Sequence, residues 1–277
     1  MKFAIINDIH IGPIDTGYFK GIQRKVMSET QRLVNEFVKT MNTKEHPEFV
    51  VNLGDFIEDV NNKETDTQSF KKAIALLSLL KMPVYSLIGN HDIRTLTEIE
   101  IANILGMEQM YYSFDYESYH FIALSFEMTG DHTKNKEDIT AKVPQEEIDW
   151  LKNDLSKTNK PTIVFIHYGL AEDDMKGNFW FEGNSQYALL ENRAELRKIF
   201  EDSKKVKAVI SGHQHWNRMH VHNNIPYFVV TSPAENFNND GIPSEAYTIV
   251  ELDIDKIKVD VRGNDPALFE FTFPTNQ

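Results

Sequence analysis

The stretch that decides the fold is Val206-Lys207-Ala208-Val209-Ile210-Ser211-Gly212-His213-Gln214-His215. Its first half is an apolar, β-branched run that predicts a buried strand. Gly212 then permits a sharp turn of the backbone. Two histidines spaced i, i+2 on an extended chain point to the same side, so this pair can serve one cluster of metal ions. Taken alone, such a pair is more often two unconnected polar residues at a strand end. The metal-site interpretation is supported because four similar stretches occur elsewhere in the chain.

The composition favours one large α/β domain and excludes several kinds of site. The chain has 277 residues, and we predict a single domain over residues 1–277. Its 29 basic and 42 acidic side chains give a formal net charge of −13, which disfavours nucleic acid and anionic membranes as partners. Because there is no cysteine, disulfides, thiolate zinc sites and a cysteine nucleophile are excluded. No signal peptide or membrane-spanning run is evident, so we predict a cytoplasmic protein.

Apolar runs alternate with helical patterns through most of the chain. Strands are predicted at 2–6, 49–53, 84–88, 161–166 and 206–210, and helices at 18–41, 68–80, 144–155 and 187–200. A repeated succession of strand, polar cluster and helix is typical of βαβ units in an α/β fold. From about residue 216 the pattern changes to period-2 strands with short turns, which predicts a β-rich end to the same domain.

Each of the five strands ends in residues that can bind a metal ion. These residues are Asp8 and His10, Asp55, Asn90 and His91, His167, and His213 and His215. Taken singly, each has a more common explanation as a turn, a cap or a buried histidine. Because the carboxyl ends of such strands meet at one edge, a shared location explains all five together. This donor set suits Mn, Fe, Zn, Ni or Co, and its size suits two ions if Asp55 bridges them.

The chain resembles the calcineurin-like metallophosphoesterases through five motifs: Asp8-x-His10, Gly54-Asp55-x-x-Glu58, Gly89-Asn90-His91-Asp92, His167 and Gly212-His213-x-His215. The resemblance implies an α/β fold, a four-layer αββα sandwich with two mixed β-sheets. It also implies two transition-metal ions, of Mn, Fe or Zn. One ion would be held by Asp8, His10, Asp55 and His215, and the other by Asp55, Asn90, His167 and His213.

Two further residues are implied to take part in the chemistry. His91 would contact the phosphate as the candidate general acid, and Glu58 would orient it, with Asp92 as the alternative carboxylate. A hydroxide bridging the two ions would attack phosphorus in line. The arginine with which protein Ser/Thr phosphatases bind phosphate is missing, since Asp59 and Val60 follow Glu58. The pattern is therefore more similar to bacterial cyclic-nucleotide phosphodiesterases, glycerophosphodiesterases and manganese-dependent ADP-ribose/CDP-alcohol diphosphatases.

The predicted function is metal-dependent hydrolysis of phosphodiester or diphosphate bonds in small nucleotides or related metabolites. The alternatives are a phosphomonoesterase and a catalytically silent binding protein of the same fold, while the acidic charge disfavours a nuclease. Phe179, Trp180 and Phe181 follow His167 in a loop, and they either stack on a nucleobase or close the core or a homodimer interface. The polar loop at residues 236–241 either lines the pocket or is a solvated turn.

Overall fold

The computed structural model describes residues 1–129, 140–235 and 241–274, and these form two six-stranded β-sheets flanked by helices. The strands are β1 (Lys2–Ile6), β2 (Tyr18–Phe19), β3 (Ile22–Gln23), β4 (Val50–Asn52), β5 (Val84–Ser86), β6 (Tyr112–Tyr116), β7 (Tyr119–Ala123), β8 (Glu127–Thr129), β9 (Thr140–Lys142), β10 (Thr162–Phe165), β11 (Val206–Ser211), β12 (Arg218–His222), β13 (Ile225–Val229), β14 (Tyr247–Leu252), β15 (Lys256–Arg262) and β16 (Ala267–Thr272). The α-helices are α1 (Thr30–Thr40), α2 (Lys63–Leu77), α3 (Glu98–Leu105), α4 (Gln145–Lys157) and α5 (Arg193–Ser203). A π-helical turn at Met41–Glu45 extends α1, and a 3₁₀ turn lies at Ser185–Tyr187.

Both large sheets are mixed. The strand order is β16-β15-β14-β1-β4-β5 in the first sheet and β12-β13-β11-β10-β7-β6 in the second. In the first sheet β1, β4 and β5 are parallel, and in the second β7, β10, β11 and β13 are parallel. The strands that join them at the edges are antiparallel. The predicted α/β class with two mixed sheets is confirmed, and the β-rich end of the chain supplies edge strands to both sheets.

Alternating side chains of β1 face two different cores. Phe3 lies between the sheets, where its ring meets Phe121 of β7 and Phe165 of β10 edge-on at centroid separations of 5.9 and 5.8 Å. The next residue, Ala4, faces the opposite way and belongs to the core that includes Val34 of α1. Because side chains alternate along a strand, each sheet buries one face on the other sheet and one face under helices. The result is the four-layer αββα arrangement that the resemblance implied.

The helix predicted over 18–41 is wrong in its first half. Residues Tyr18–Phe19 and Ile22–Gln23 pair as a small hairpin, β2–β3, and α1 begins only at Thr30. Gly21, at the turn, has φ +80°, a left-handed conformation that no α-helix contains. Arg24 and Lys25, which follow the hairpin directly, lie at the end of the sandwich described below.

Two polar segments of the chain, 127–142 and the predicted loop 236–241, fall partly outside the described residues. The charged segment 127–142 begins and ends as the antiparallel pair β8–β9, while residues 130–139 are not described. Of the polar loop 236–241, residues 236–240 are not described either. Across the described part of the chain, none of the helices is both long enough and apolar enough to cross a bilayer.

Candidate metal centre

The predicted ligands converge at one end of the sandwich, where loops from both sheets are joined. The Asp8 N–H donates to the Gly54 carbonyl at 2.9 Å, which links the loops after β1 and β4. The Gly212 N–H donates to the His167 carbonyl at 3.1 Å, which links the loops after β10 and β11. The His213 N–H donates to Asp8 Oδ2 at 3.1 Å and so connects the two sheets. The shared location expected from the strand ends is therefore present.

Several of these residues have an unusual backbone conformation. Positive φ angles of 48–66° occur at Asp8, His10, Asp55, His213 and His215. Non-glycine residues rarely adopt this region, and the cost is on the order of 1–3 kcal/mol each where the surroundings enforce it. The pair His213 and His215 is therefore not on extended chain, as the sequence argument assumed, and its two rings serve different groups of ligands.

Two groups of metal-binding side chains share Asp55. In each group one nitrogen or oxygen per residue lies within 4.8 Å of those of the other members. The first group is Asp8, His10, Asp55 and His215, and the second is Asp55, His167 and His213. Asn90 adjoins the second group, since its Oδ1 is 3.1 Å from His167 Nε2. The structure thus brings together all seven side chains expected to hold the two ions.

Each of the four histidines has one ring nitrogen bonded away from the cluster. The acceptors for His10, His167, His213 and His215 are, in turn, the Ile57 carbonyl at 3.2 Å, the Leu53 carbonyl at 2.9 Å, the Tyr187 carbonyl at 2.8 Å and the Glu235 carboxylate at 2.6 Å. A ring nitrogen that faces an acceptor carries a proton, so the other nitrogen is the one that can offer its lone pair to a metal ion. That free nitrogen is Nδ1 in His213 and Nε2 in the other three.

The free lone pairs face one another. His10 Nε2 and His215 Nε2 are 3.2 Å apart, and His167 Nε2 faces Asn90 Oδ1. Acceptor atoms at such distances repel unless a proton or a cation lies between them. Two neighbouring sets of imidazole, amide and carboxylate donors around one shared carboxylate therefore fit a pair of divalent transition-metal ions.

The surroundings shift the pKa values of two buried carboxyls, Asp8 and Asp92, in opposite directions. Burial alone raises the pKa of Asp8, but the hydrogen bond and charge of His215 outweigh it and hold this pKa well below the usual value. The pKa of Asp92 is instead raised well above its usual value by burial and by the charge of Asp55. Asp92 accepts hydrogen bonds from the backbone N–H groups of Gly89 at 2.8 Å and Ile57 at 3.2 Å, so it shapes the loops and does not face His91.

His91 lies beside the cluster, but its partners differ from those expected. Its Nδ1 donates to Asp59 Oδ1 at 2.7 Å, whereas Glu58 Oε2 is 3.6 Å away. Glu58 instead accepts from Lys25 Nζ at 2.6 Å and lies 3.2 Å from His10 Nδ1. The orienting carboxylate of His91 is thus Asp59, the neighbour of the predicted one, because the side chain of Glu58 turns toward the metal ligands.

Positive side chains also surround His91. Lys25, which is buried, donates from Nζ to His91 Nε2 at 3.2 Å, and Arg94 pairs with Asp59 at 2.8 Å. Burial and the charges of these two cations lower the pKa of His91 well below its usual value, and the charge of Glu58 does not restore it. Lys25 and Arg94 thus bring positive charge beside His91 in a chain that lacks the phosphatase-type arginine after Glu58. No local pattern in the sequence identified them.

The aromatic loop residues divide between the site and its rim. The Phe181 ring lies 5.0 Å from the ring of His213, and the Trp180 ring lies 6.2 Å from that of His215. Phe179 is farther out and stacks under the Arg24 guanidinium at 4.0 Å. All three are half-buried, which favours the pocket-lining interpretation over a core one.

Glycines make the close approach of the loops possible. A Cβ atom on Gly89 would lie 2.1 Å from Asp55 Oδ1, and one on Gly212 would lie 2.5 Å from Asp8 Oδ2. Neither position has room for a side chain while the carboxylate keeps its place. The glycines of the quoted motifs are therefore part of the geometry of the centre.

The family model described as calcineurin-like phosphoesterase matches residues 1–217 of this chain, which include every residue of the two ligand groups. The chain belongs to the calcineurin-like phosphoesterase family. The prediction made from the five motifs is confirmed. The motifs also implied a phosphoesterase with two divalent metal ions, and the paired ligand groups of this calcineurin-like phosphoesterase agree with that class.

This calcineurin-like phosphoesterase is similar in sequence to two enzymes and in fold to a solved structure. A manganese-dependent ADP-ribose/CDP-alcohol diphosphatase of Arabidopsis thaliana is 24% identical, over 77% of this chain and 79% of that protein. A 3',5'-cyclic-nucleotide phosphodiesterase of Nostoc sp. is 23% identical, over 86% of this chain and 80% of that protein. Among solved structures, a dimetal phosphatase from Danio rerio superposes with a TM-score of 0.79 at 16% identity, covering 99% of both chains.

Proposed function

We propose that the chain hydrolyses phosphodiester or diphosphate bonds in small, nucleotide-like substrates, with manganese as the preferred metal. The observation that carries the proposal is the pair of ligand groups that share Asp55 next to a second cluster of His91, Lys25 and Glu58. A pair of metal ions held by such ligand groups activates water, and a positively charged group beside them can bind the substrate phosphate.

In the proposed centre Asp8, His10, Asp55 and His215 hold one ion, and Asp55, Asn90, His167 and His213 hold the other. When bound, two divalent cations supply Lewis acidity and lower the pKa of a coordinated water toward neutrality. The hydrogen bonds on the outer nitrogens of the imidazoles fix the orientation of each ring, so that the other nitrogen points to the ion. It also excludes bulk water, since the carboxyl and imidazole ligands are at most 7% exposed.

His91 and Lys25 are proposed to meet the phosphate and the leaving oxygen. The Lys25 ammonium supplies charge that the substrate oxygens can contact, and His91 Nε2 is within reach of the same position. Asp59 fixes the ring of His91 through Nδ1, so that Nε2 points to the substrate. The role of His91 as general acid stays a prediction, and the negative charge of a bound phosphate would favour the protonated ring that it needs. Glu58 is proposed to hold Lys25 and His10 in place.

The substrate class is proposed from the relatives and from the rim. The two relatives described above act, by their names, on ADP-ribose or CDP-alcohols and on 3',5'-cyclic nucleotides. In this chain the half-buried rings of Trp180 and Phe181 lie beside the ligands His215 and His213, where a flat base can stack on them. The net charge of −13 makes a small ligand a better partner than nucleic acid.

Four further predictions go with this function. We propose one domain over residues 1–277, since β14 from the late part of the chain pairs with β1 from its start. A cytoplasmic location and a homodimer stay predictions. Iron as an alternative metal is supported only by the chemistry of the donor set, because imidazole and carboxylate ligands suit it as well.

The function is tested with purified protein, Mn²⁺ and a substrate panel. The panel contains an aryl phosphodiester, an aryl phosphomonoester, a 3',5'-cyclic nucleotide, ADP-ribose, CDP-choline and a glycerophosphodiester. We expect turnover of the diester and of one or more nucleotides, and we expect His91→Ala to slow it by about 10²–10⁴-fold, the range for loss of a general acid.

The panel also separates the alternatives. Faster turnover of the monoester than of any diester or diphosphate would favour the phosphomonoesterase. Binding of two Mn²⁺ without turnover of any compound would favour the silent binding protein. Activity that His91→Ala leaves unchanged would contradict the proposed roles at the second cluster.

A further inference from the structure

Glu235 is a fully buried carboxylate that lies outside the five motifs and outside the residues matched by the family model. Its Oε2 accepts from His215 Nδ1 at 2.6 Å and from Trp180 Nε1 at 2.7 Å. Its Oε1 accepts from Arg24 Nε at 3.0 Å. One carboxylate thus receives donors from a proposed metal ligand, from the aromatic loop and from the segment between β3 and α1.

The first of these contacts fixes the ligand His215. Because Nδ1 donates to Glu235, Nε2 is the nitrogen directed into the ligand group, where it faces Asp8 Oδ1 at 3.4 Å and His10 Nε2. A carboxylate bonded in this way holds the ring orientation and raises the basicity of the coordinating nitrogen. Loss of such a partner lowers metal affinity by about 10- to 100-fold in metal sites generally.

The other two contacts fix the rim. Trp180 is half-buried, and its ring lies 4.7 Å from the ring of Phe19 on the β2–β3 hairpin. Arg24 lies 4.0 Å over the ring of Phe179. The hairpin and the aromatic loop therefore meet at the two donors that Glu235 holds, the Arg24 guanidinium and the Trp180 indole N–H. The same carboxylate thus orders both the rim and the ligand.

We propose that Glu235 is a positioning residue that couples the affinity of the ion at His215 to the placement of Trp180. The inference rests on the proposed metal centre and deepens it. The second ion, at His167 and His213, has no contact with Glu235 among the described residues. The coupling is therefore specific to one ion. It is also reciprocal: a change at Trp180 alters the affinity for that ion, and removal of the ion alters the placement of Trp180.

The test is calorimetric titration of metal-free protein with Mn²⁺, on the wild type, Glu235→Gln, Trp180→Phe and the double variant. We expect two ions in the wild type, and a loss of about 10- to 100-fold in affinity for only one of them in Glu235→Gln. Trp180→Phe keeps an aromatic ring but removes the indole N–H donor, and it should weaken the same ion less. Because Trp180 acts through Glu235, the double variant should bind like Glu235→Gln and not show the product of the two effects.

Two matched variants complete the design. Glu245→Gln removes an exposed carboxylate that pairs with Arg32, and it should leave both affinities unchanged. His213→Asn changes a residue of the second group only, and it should weaken the ion that Glu235→Gln leaves alone. If Glu235→Gln does not fold, Trp180→Phe alone decides, since unchanged affinity in it contradicts the coupling.

The outcomes separate this inference from the proposed function. Two ions in the wild type with unchanged, or equally reduced, affinities in Glu235→Gln overturn the coupling and leave the metal centre standing. Effects of the two substitutions that multiply in the double variant also overturn it. A wild-type protein that binds no Mn²⁺ overturns the metal centre and the coupling together.

Discussion

Two buried acidic regions of this protein show opposite electrostatics. At the metal centre, burial raises the pKa of Glu58, but the charges of Lys25 and His91 outweigh it and hold that pKa well below the usual value. Beneath α4, burial raises the pKa of Glu147 to about 8, since its hydrogen bond from the Ser125 N–H, at 2.7 Å, offsets little of the cost. The charge of Glu98, whose Oε1 accepts from Ser125 Oγ at 3.4 Å, raises the pKa of Glu147 further.

The difference lies in the partners, because the cost of burial has the same sign in both places. A carboxylate can ligate a cation only when it is ionised, so a metal centre must supply positive charge or proton donors before the metal arrives. Lys25, Arg24 and the histidines do this at the centre. Around Ser125 no cation is among the causes of the shift, and the buried acid is held neutral instead. The predictions below test this contrast.

The largest effect is expected for Asp55→Ala. Asp55 is the carboxylate common to both ligand groups, so its removal should weaken both ions and lower kcat/KM by about 10³-fold or more, the size expected when an electrostatic catalyst is lost. Metal content after dialysis and steady-state rates with Mn²⁺ measure the two effects. The exposed Asp202→Ala serves as the control and should keep both ions. Retention of two ions and near-normal rates by Asp55→Ala would show that the two groups do not share a ligand.

A smaller effect is expected for Lys25→Met, which keeps the length of the side chain but removes its charge. Hydrogen bonds to charged groups are worth about 1.5–3 kcal/mol, which corresponds to a fall in kcat/KM of about 10- to 150-fold. Both Mn²⁺ ions should remain bound, because Lys25 is not a ligand. Lys39→Met, which alters an exposed lysine on α1, should have normal kinetics. A normal rate in Lys25→Met would mean that this cation stabilises Glu58 and does not contact the substrate.

The smallest effect on activity, and a distinct effect on stability, is expected for Glu147→Gln. The folded-state pKa is raised, so the folded protein binds a proton more tightly than the unfolded chain does. The free energy of unfolding of the wild type should therefore fall with rising pH between the unfolded value, near 4.5, and about 8, by about 1.4 kcal/mol per pH unit from this group. Glu147→Gln retains the acceptor for Ser125 but cannot ionise.

Urea unfolding at a series of pH values from below 5 to above 8 measures that prediction. The stability of Glu147→Gln relative to the wild type should rise across this window and should level off above pH 8. Glu146→Gln, one residue away and exposed on the same helix, should follow the wild type at every pH. A constant difference between Glu147→Gln and the wild type would mean that Glu147 is ionised in the fold, like the carboxyls of the metal centre.

The metal ligands were predictable from the sequence because each follows a buried strand within a few residues. Asp8, Asp55, His167 and His213 all occupy such positions, and parallel strands end at the same edge. The carboxylate that orients His91 was harder to predict. Glu58 and Asp59 are adjacent in the chain, and which of them contacts His91 depends only on the direction of their side chains. The helix predicted over 18–41 was confirmed only in its second half, as α1. The apolar spacing of its first half is also helical, but the left-handed turn at Gly21 makes a hairpin there instead.

Five short motifs of the sequence indicated the family, and the resemblance that they carry implied the two-sheet fold and the seven side chains of the two ligand groups. The motifs are recognisable because strand, glycine and ligand stand next to one another in the chain. The roles of Lys25, Asp59 and Glu235 at the same centre became visible only in the three-dimensional contacts. Glu235 is separated from Arg24 by 211 positions along the chain, and contacts of that kind depend on how loops pack over a common edge. No local pattern carries that information, because the charge of a buried residue is balanced by whichever partner the fold brings near.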